Sequence, residues 1–344
     1  MRWLLGITMI LGGIAGTLFA VGWFLLPAQL DVSRSIDIDR PRASVYALVS
    51  NLRTFNEFSP WVEIDPAATY TFSGPTAAVG QQSNWSSTSP VLGSGSIRIK
   101  ALKPYSQVDL SLAFGESRAR SAFQIAGSGL KTRVTWSFAA ACHPGPEAVP
   151  CRYINQLARG QIERNYDLGL AKLKALAEEL PNADFEGLAI TQTKVEPVDF
   201  AFHDSEVALE PAQMLAAERA AFAFVRDFLQ RNAMTAAGPP IAETLAWDEA
   251  QRRYGFRAGY AYTGVAPAVA VGVRLGKSPS GVVVKAVHTG SYESLPETYL
   301  KLEAYVRAHR LRIAGPPWQV YVGAAGGQEP AATRTEIYFP IAGS

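Results

Sequence analysis

A chain of 344 residues has room for two or three domains. Its charge is close to balanced, with 32 Lys and Arg against 30 Asp and Glu, and 48% of its residues are hydrophobic. That balance excludes a disordered chain, which buries too little apolar surface to fold, and it excludes the strongly basic face of a nucleic-acid binder.

The apolar content is densest at the N-terminus, where Trp3 to Leu26 carries no charged residue. A membrane-crossing helix needs about 20 apolar residues, whereas the core of a signal peptide has about 7–15. The length predicts a single-pass membrane anchor over residues 1–30. A cleaved signal, ending at Leu26-Pro27-Ala28, is the alternative. Gly12 and Gly16 form a GxxxG, a spacing that lets membrane helices approach closely, although glycine is frequent in such helices anyway. Arg2 precedes the run and Arg34, Arg40 and Arg42 follow it, a count that favours a cytoplasmic body. Cys142 and Cys151 point the other way. They bracket His143-Pro144-Gly145-Pro146, and a disulfide there needs an oxidising compartment; two free thiols are the alternative. The expected location is the cell membrane, with the body extracytoplasmic.

From Val32, Ile36 and Ile38 alternate with Asp37 and Asp39, which predicts a strand. Asp39 is the expected cap of a helix through Val45, Leu48 and Val49, with Pro41 in its first turn. An aromatic loop follows with Phe55, Phe58 and Trp61. Short alternating strands are then expected at Tyr70–Ser73, Gln81–Trp85, Ile97–Leu102, Val108–Phe114, Ala122–Ala126 and Val134–Ala140, separated by Gly and Pro turns as in an antiparallel meander. A long helix closes the region, with Ile154, Leu157, Ile162, Tyr166, Leu170, Leu173, Leu176 and Leu180 on one broad face. A sheet with one apolar face needs a cover, so the sheet is expected to wrap that helix.

This order of elements, with Val32-Ser33-Arg34-Ser35-Ile36, Phe58-Ser59-Pro60-Trp61, Tyr70 to Pro75, Gly93-Ser94-Gly95, the Thr132–Trp136 strand and Gly169 to Lys174, resembles the START-like SRPBCC (polyketide cyclase/dehydrase) helix-grip family over residues 31–183. The resemblance implies an apolar cavity between sheet and helix. Phe55, Trp61, Trp85, Phe114 and Trp136 could line it, but ordinary core packing is the stronger reading of each. No acid–base pair stands out in this region.

Residues 184–193 read as a linker, opened by Pro181-Asn182, and 194–344 as a second globular region. It begins with the β-prone Val195–Phe202, then a helix over about Pro211 to Gln230. A later run, Val282–Val287, leads through His288-Thr289-Gly290 into a helix carrying Leu295, Tyr299, Leu302, Tyr305 and Val306. Gly315-Pro316-Pro317 stops it, Trp318–Val322 alternates as a strand, and Thr335–Ile341 forms the last strand. Phe224-Val225-Arg226 leads to Gly238-Pro239-Pro240 as Tyr305-Val306-Arg307 leads to Gly315-Pro316-Pro317, so the region is duplicated. His288-Thr289-Gly290, Tyr292, Gly315-Pro316, Trp318, Tyr321 and Thr335-Glu336-Ile337-Tyr338 before Pro340 together resemble the GyrI-like (bacterial transcription-activator effector-binding) family. The resemblance implies two βαββ repeats around a small-molecule cavity with the strand acid Glu336 facing it. The fold class expected for the chain is therefore α+β: a transmembrane helix, a helix-grip domain, and a duplicated βαββ domain.

The candidate ligand-binding residues are Glu336, Tyr338, Trp318, Tyr321, Tyr292 and Tyr260. A carboxylate set among aromatic residues is costly to bury without a partner, which suits an apolar, cationic organic ligand held by charge pairing and cation–π contact. The alternative is a hydrolase for reactive organic compounds, with Glu336 as a general base of raised pKa. The first repeat has no acid at the matching tail, Arg257-Ala258-Gly259-Tyr260, so an asymmetric pocket is expected. The four histidines are scattered, and HExxH, CxxC, a P-loop, a dinucleotide fingerprint and GxSxG are all missing, so neither a metal nor a cofactor is expected. Without a helix-turn-helix unit, direct nucleic-acid binding is not expected either. The partners expected are a hydrophobic or cationic small molecule and the membrane through residues 3–26.

Overall fold

The computed structural model describes residues 2–115, 117–322 and 334–343, without the side chains of residues 2, 4–6 and 8. The chain divides into two compact units, Met1–Asp184 and Phe185–Ser344.

Unit 1 opens with helix α1 (Arg2–Phe24) and strand β1 (Gln29–Ile38), followed by α2 (Arg42–Val49) and α3 (Leu52–Phe58). Strands β2 (Thr69–Ser73), β3 (Gln82–Ser86), β4 (Ser94–Lys103), β5 (Gln107–Phe114), β6 (Ser117–Ser128) and β7 (Lys131–Ala141) form the meander, and α4 (Val149–Glu178) closes it. The antiparallel sheet runs β1-β7-β6-β5-β4-β3-β2. Tyr166, Leu170, Leu173 and Ala177 of α4 are buried with the inward residues Val134 and Trp136 of β7 and Phe123 of β6. Trp136 stacks on Tyr166 at 4.0 Å and on Phe123 at 4.8 Å, while Phe55, Phe58 and Trp61 meet it edge-on. Around Trp136 the space between sheet and helix is thus packed aromatic core. Gly169 makes the close approach, because a Cβ there would lie 2.6 Å from the Trp136 ring.

Several expectations need correcting. The aromatic stretch read as a loop contains α3, which starts because the Asn51 side chain accepts from the Arg53 N–H. Asp39 does not cap α2. Pro41 holds that position, and the Asp39 N–H instead donates to Glu178. Ile154 and Leu157 are not on the packed face of α4 but exposed, since helical rotation carries them away from the Tyr166–Leu170–Leu173 stripe. Among the described residues no helix is long and apolar enough to cross a membrane, so the expected transmembrane span is not borne out. The last turns of α1 instead pack on α4. The Tyr153 hydroxyl donates to Leu18 O at 2.7 Å, and Arg152 donates to the carbonyls of Trp23 and Leu26 at 2.7 and 3.0 Å. Cys142 and Cys151 form a disulfide beside this corner.

Unit 2 begins with β8 (Ile190–Val195), so residues 190–193 are strand rather than linker, and continues with β9 (Asp199–Ala208). Then come α5 (Pro211–Arg231), β10 (Thr235–Ala236), β11 (Ile241–Asp248), β12 (Arg253–Thr263), β13 (Arg274–Lys277), β14 (Gly281–Thr289), α6 (Leu295–Ala308), β15 (Trp318–Val322) and β16 (Arg334–Pro340). The sheet order is β13-β9-β12-β11-β15-β16-β14-β8, with β10 paired to β12. The repeats β9-α5-β11-β12 and β14-α6-β15-β16 meet at the β11–β15 pair, where Ile241 opposes Val320 and Glu243 opposes Trp318. Ile241 and Trp318 each follow a Gly-Pro-Pro, and they swap places across this junction as a twofold requires. Both helices cover one face: α5 packs on Tyr254, Phe256, Ala258 and Tyr260, and α6 on Val284, Ala286 and Ile337.

Candidate functional site

Strand alternation sorts the candidate residues, because neighbours along a strand point to opposite faces. One cross-strand row, set by the pairing register, runs Ala258–Ala242–Gln319–Ile337–Ala286 on the helix-covered face. The adjacent row runs Asp204–Arg257–Glu243–Trp318–Tyr338–Lys285 on the other face. Trp318 and Tyr338 therefore share with Glu336 the face turned away from α5 and α6, while Tyr321 and Tyr260 lie under the helices. The six candidates do not wall one pocket. Trp318 and Tyr321 are three residues apart on one strand, an odd spacing that separates them.

On the face away from the helices Trp318 stacks on Tyr338 with centroids 5.2 Å apart and planes 7° apart, and both rings are buried. Glu336 accepts from the Tyr338 hydroxyl at 2.5 Å, from Arg334 at 2.7 Å and from Lys285 at 3.4 Å. Burial pushes the Glu336 carboxyl up, but these hydrogen bonds and the two cations outweigh it and hold it below the ordinary carboxylate value. The expected base of raised pKa is absent here, because Glu336 is already neutralised. At the twofold-related position, opposite Asp204 and Glu243, stands Arg257, paired with Asp204 at 2.8 Å and over the Phe202 ring at 4.0 Å. The asymmetry expected from the first repeat is thus a charge reversal.

Under the helices lies a carboxyl that the sequence reading passed over. Glu218 of α5 is 3% exposed, at the centre of the twofold junction. It accepts from the Tyr254 hydroxyl at 2.7 Å, from the Tyr321 hydroxyl, and from the Gln319 amide at 3.4 Å. Gln319 also donates to the Tyr321 oxygen and accepts from the Tyr299 hydroxyl of α6 at 3.1 Å. The donors to Glu218 are uncharged groups, so burial dominates and raises its pKa, with the hydrogen bonds from Tyr321, Tyr254 and Gln319 opposing. Burial likewise keeps Tyr254, Tyr299 and Tyr321 protonated, and thus donors.

Aromatic rings adjoin this carboxyl. Tyr321 meets Phe222 at 5.6 Å and Tyr292 at 5.4 Å, and Phe222 meets Tyr260 at 5.8 Å, all edge to face. Tyr321, Tyr292 and Tyr260 are therefore brought together, but around Glu218 rather than Glu336. The signal for Glu218 was in the sequence. It sits four residues before Phe222 and seven before Val225, on the apolar stripe of α5. His288 is buried and donates from Nε2 to the Ser291 carbonyl at 3.0 Å while Nδ1 meets the Thr298 hydroxyl at 2.8 Å. A carbonyl can only accept, so Nε2 carries the proton and His288 anchors the turn rather than acting as a base. Among the described residues no cluster of His, Cys, Asp or Glu could hold a metal ion.

A family model described as polyketide cyclase / dehydrase and lipid transport matches residues 29–178, and one described as GyrI-like small molecule binding domain matches residues 189–342. No curated protein matches the chain. Similar solved structures include the EcmrR C-terminal domain, at 14% identity over 46% of this chain and 99% of that one, with a TM-score of 0.40. EcmrR in its DNA complex is 13% identical over 58% of this chain and 74% of that one, with a TM-score of 0.41. A protein from Mesorhizobium loti is 15% identical over 43% of this chain and 97% of that one, with a TM-score of 0.32. The chain thus joins a segment matching the polyketide cyclase / dehydrase and lipid transport family to one matching the GyrI-like small molecule binding domain.

Proposed function

We propose that the chain is a membrane-associated small-molecule-binding protein whose unit 2 receives an apolar, cationic organic ligand beside Glu218. The observation that carries this reading is a nearly fully buried carboxyl, satisfied among the described residues by neutral donors alone and adjoined by Tyr321, Phe222, Tyr260 and Tyr292. A buried anion without a counter-ion gains strongly from a ligand cation, and each aromatic ring adds about 0.5–2 kcal/mol of cation–π attraction. Tyr292, half-buried ahead of α6, is the one ring of this set that is not fully buried. The match to a small-molecule-binding family supports the same reading. Glu336 suits a ligand cation less well, because Lys285 and Arg334 already oppose it. Its lowered pKa also makes it a weak base, which disfavours the hydrolase reading.

The membrane part of the proposal rests on α1, whose side chains are apolar and exposed around its circumference, among them Ile7, Met9, Ile10, Leu11, Ile14 and Leu18. The disulfide supports placing the body in an oxidising, extracytoplasmic compartment.

Calorimetric titration with aromatic quaternary ammonium ions and their uncharged isosteres tests the site. Glu218→Gln should weaken the cations about tenfold or more, equivalent to about 1.4 kcal/mol, and leave the isosteres unchanged. Glu336→Gln should change neither. If only Glu336→Gln weakens the cations, the ligand lies on the face away from the helices. If no cation binds the wild-type chain, the cationic reading is wrong.

A further inference from the structure

We infer that the outward face of the first three turns of α4, with the end of α1, forms a lipid-contacting surface, so that unit 1 lies flat against the membrane rather than standing off on a stalk. Ile154 and Leu157 of α4 are 63% and 83% exposed, and Phe24 and Leu25 at the end of α1 are 77% and 75% exposed. Single exposed apolar residues need no explanation, but these lie on two elements that meet at one corner. The convergence is built in. Tyr153 and Arg152, immediately before Ile154, bond to the carbonyls of Leu18, Trp23 and Leu26, and the Arg152 guanidinium lies 4.9 Å from the Trp23 ring.

Gly22 allows the approach, since a Cβ there would meet Val149 at 2.5 Å and Tyr153 at 2.7 Å. The backbone tie from the Cys142 N–H to Ala28 O, and the Cys142–Cys151 disulfide, fix the same corner. A surface that covers the end of α1 therefore lies next to the start of α4, where Leu157 is exposed.

The chemistry selects a bilayer over a protein groove. A helix docked in a groove keeps one polar face, whereas α1 exposes Ile7, Met9, Ile10, Leu11, Ile14, Leu18 and Phe19 in every direction about its axis. The boundary is marked by Phe19, Trp23 and Tyr153, residues suited to the headgroup level, and Arg164 follows on α4, on the Leu157 side, where anionic headgroups would sit. The inference rests on the proposed membrane association but does not require α1 to cross the bilayer.

The test uses the full chain with Leu157→Cys carrying an environment-sensitive fluorophore, and Leu130→Cys as a control. Leu130 is also exposed and apolar, but it sits in the β6–β7 hairpin at the far end of the strand pair from the corner, about 30 Å away along ten strand residues. With phosphatidylcholine–phosphatidylglycerol vesicles, the Leu157 label should shift to the blue and be quenched by a lipid-chain quencher, while the Leu130 label stays aqueous. A chain that floats with the vesicles while its Leu157 label stays aqueous overturns the flat arrangement alone. A label already shielded before vesicles are added means that a second copy covers the face, which also overturns it. A chain that does not float with vesicles at all ends the membrane reading and this inference with it.

Discussion

At the scale of single residues, Glu218 concentrates the chemistry of unit 2. Its folded-state pKa is raised, so the folded state holds the proton more tightly than the unfolded chain does. The resulting stability is present below the ordinary value of 4.5 and is lost as pH rises through the raised value. Denaturant titrations of unit 2 at a series of pH values should show stability falling over that window, and Glu218→Gln should remove the slope. Because a cationic ligand prefers the ionised carboxylate, its affinity should rise over the same window, with a proton released on binding. Glu336 behaves oppositely. Its lowered pKa gives stability that is present above 4.5 and is lost as pH falls through the lowered value.

At the scale of elements, close strand approach explains which glycines matter. A Cβ at Gly259 of β12 would sit 2.0 Å from the Ala201 carbonyl of β9, a backbone atom that cannot step aside. At Gly255, on the same strand, the nearest contact would be the Ala246 side chain at 3.2 Å. Gly259→Ala should therefore cost about 1–3 kcal/mol or more, the usual range for overpacking, and Gly255→Ala much less. Chemical denaturation followed by unit 2 tyrosine and tryptophan signals separates the two variants. The same element logic separates the candidate residues. A fixed set of aromatic residues on two strands looks like one pocket until the period of two is applied, and then Trp318 and Tyr338 part from Tyr321.

At the scale of the whole molecule, each unit has its own sheet and its own core, so loss of a brace in one should register in that unit. The Cys142–Cys151 disulfide closes a short loop whose ends are nine positions apart. Replacing both cysteines with serine should lower the stability of unit 1 by about 2–3 kcal/mol in the chain-entropy picture, and should leave the unit 2 transition in place. Two-wavelength denaturation, with unit 2 marked by its ligand-induced shift, checks this. A loss confined to unit 2 would contradict the assignment of the brace to the α1–α4 corner.

Most of the secondary structure was legible in the sequence because it is written in local periodicity. Alternation in Val108, Leu110 and Leu112 and in Val134, Trp136 and Phe138 marks strands, and the repeated Gly-Pro-Pro stops mark the duplication. The apolar N-terminal run, the two cysteines and the acid in the last strand were equally plain. What periodicity leaves open is which groups meet. Whether Cys142 and Cys151 bond, whether Ile154 and Leu157 face the sheet or the exterior, and which carboxyl lacks a counter-ion all depend on contacts between residues far apart in the chain. Lys285 lies 51 positions from Glu336, and Tyr321 lies 103 from Glu218. Charge pairing and desolvation act through space, so only the packed structure decided that Glu336 is neutralised and Glu218 is not.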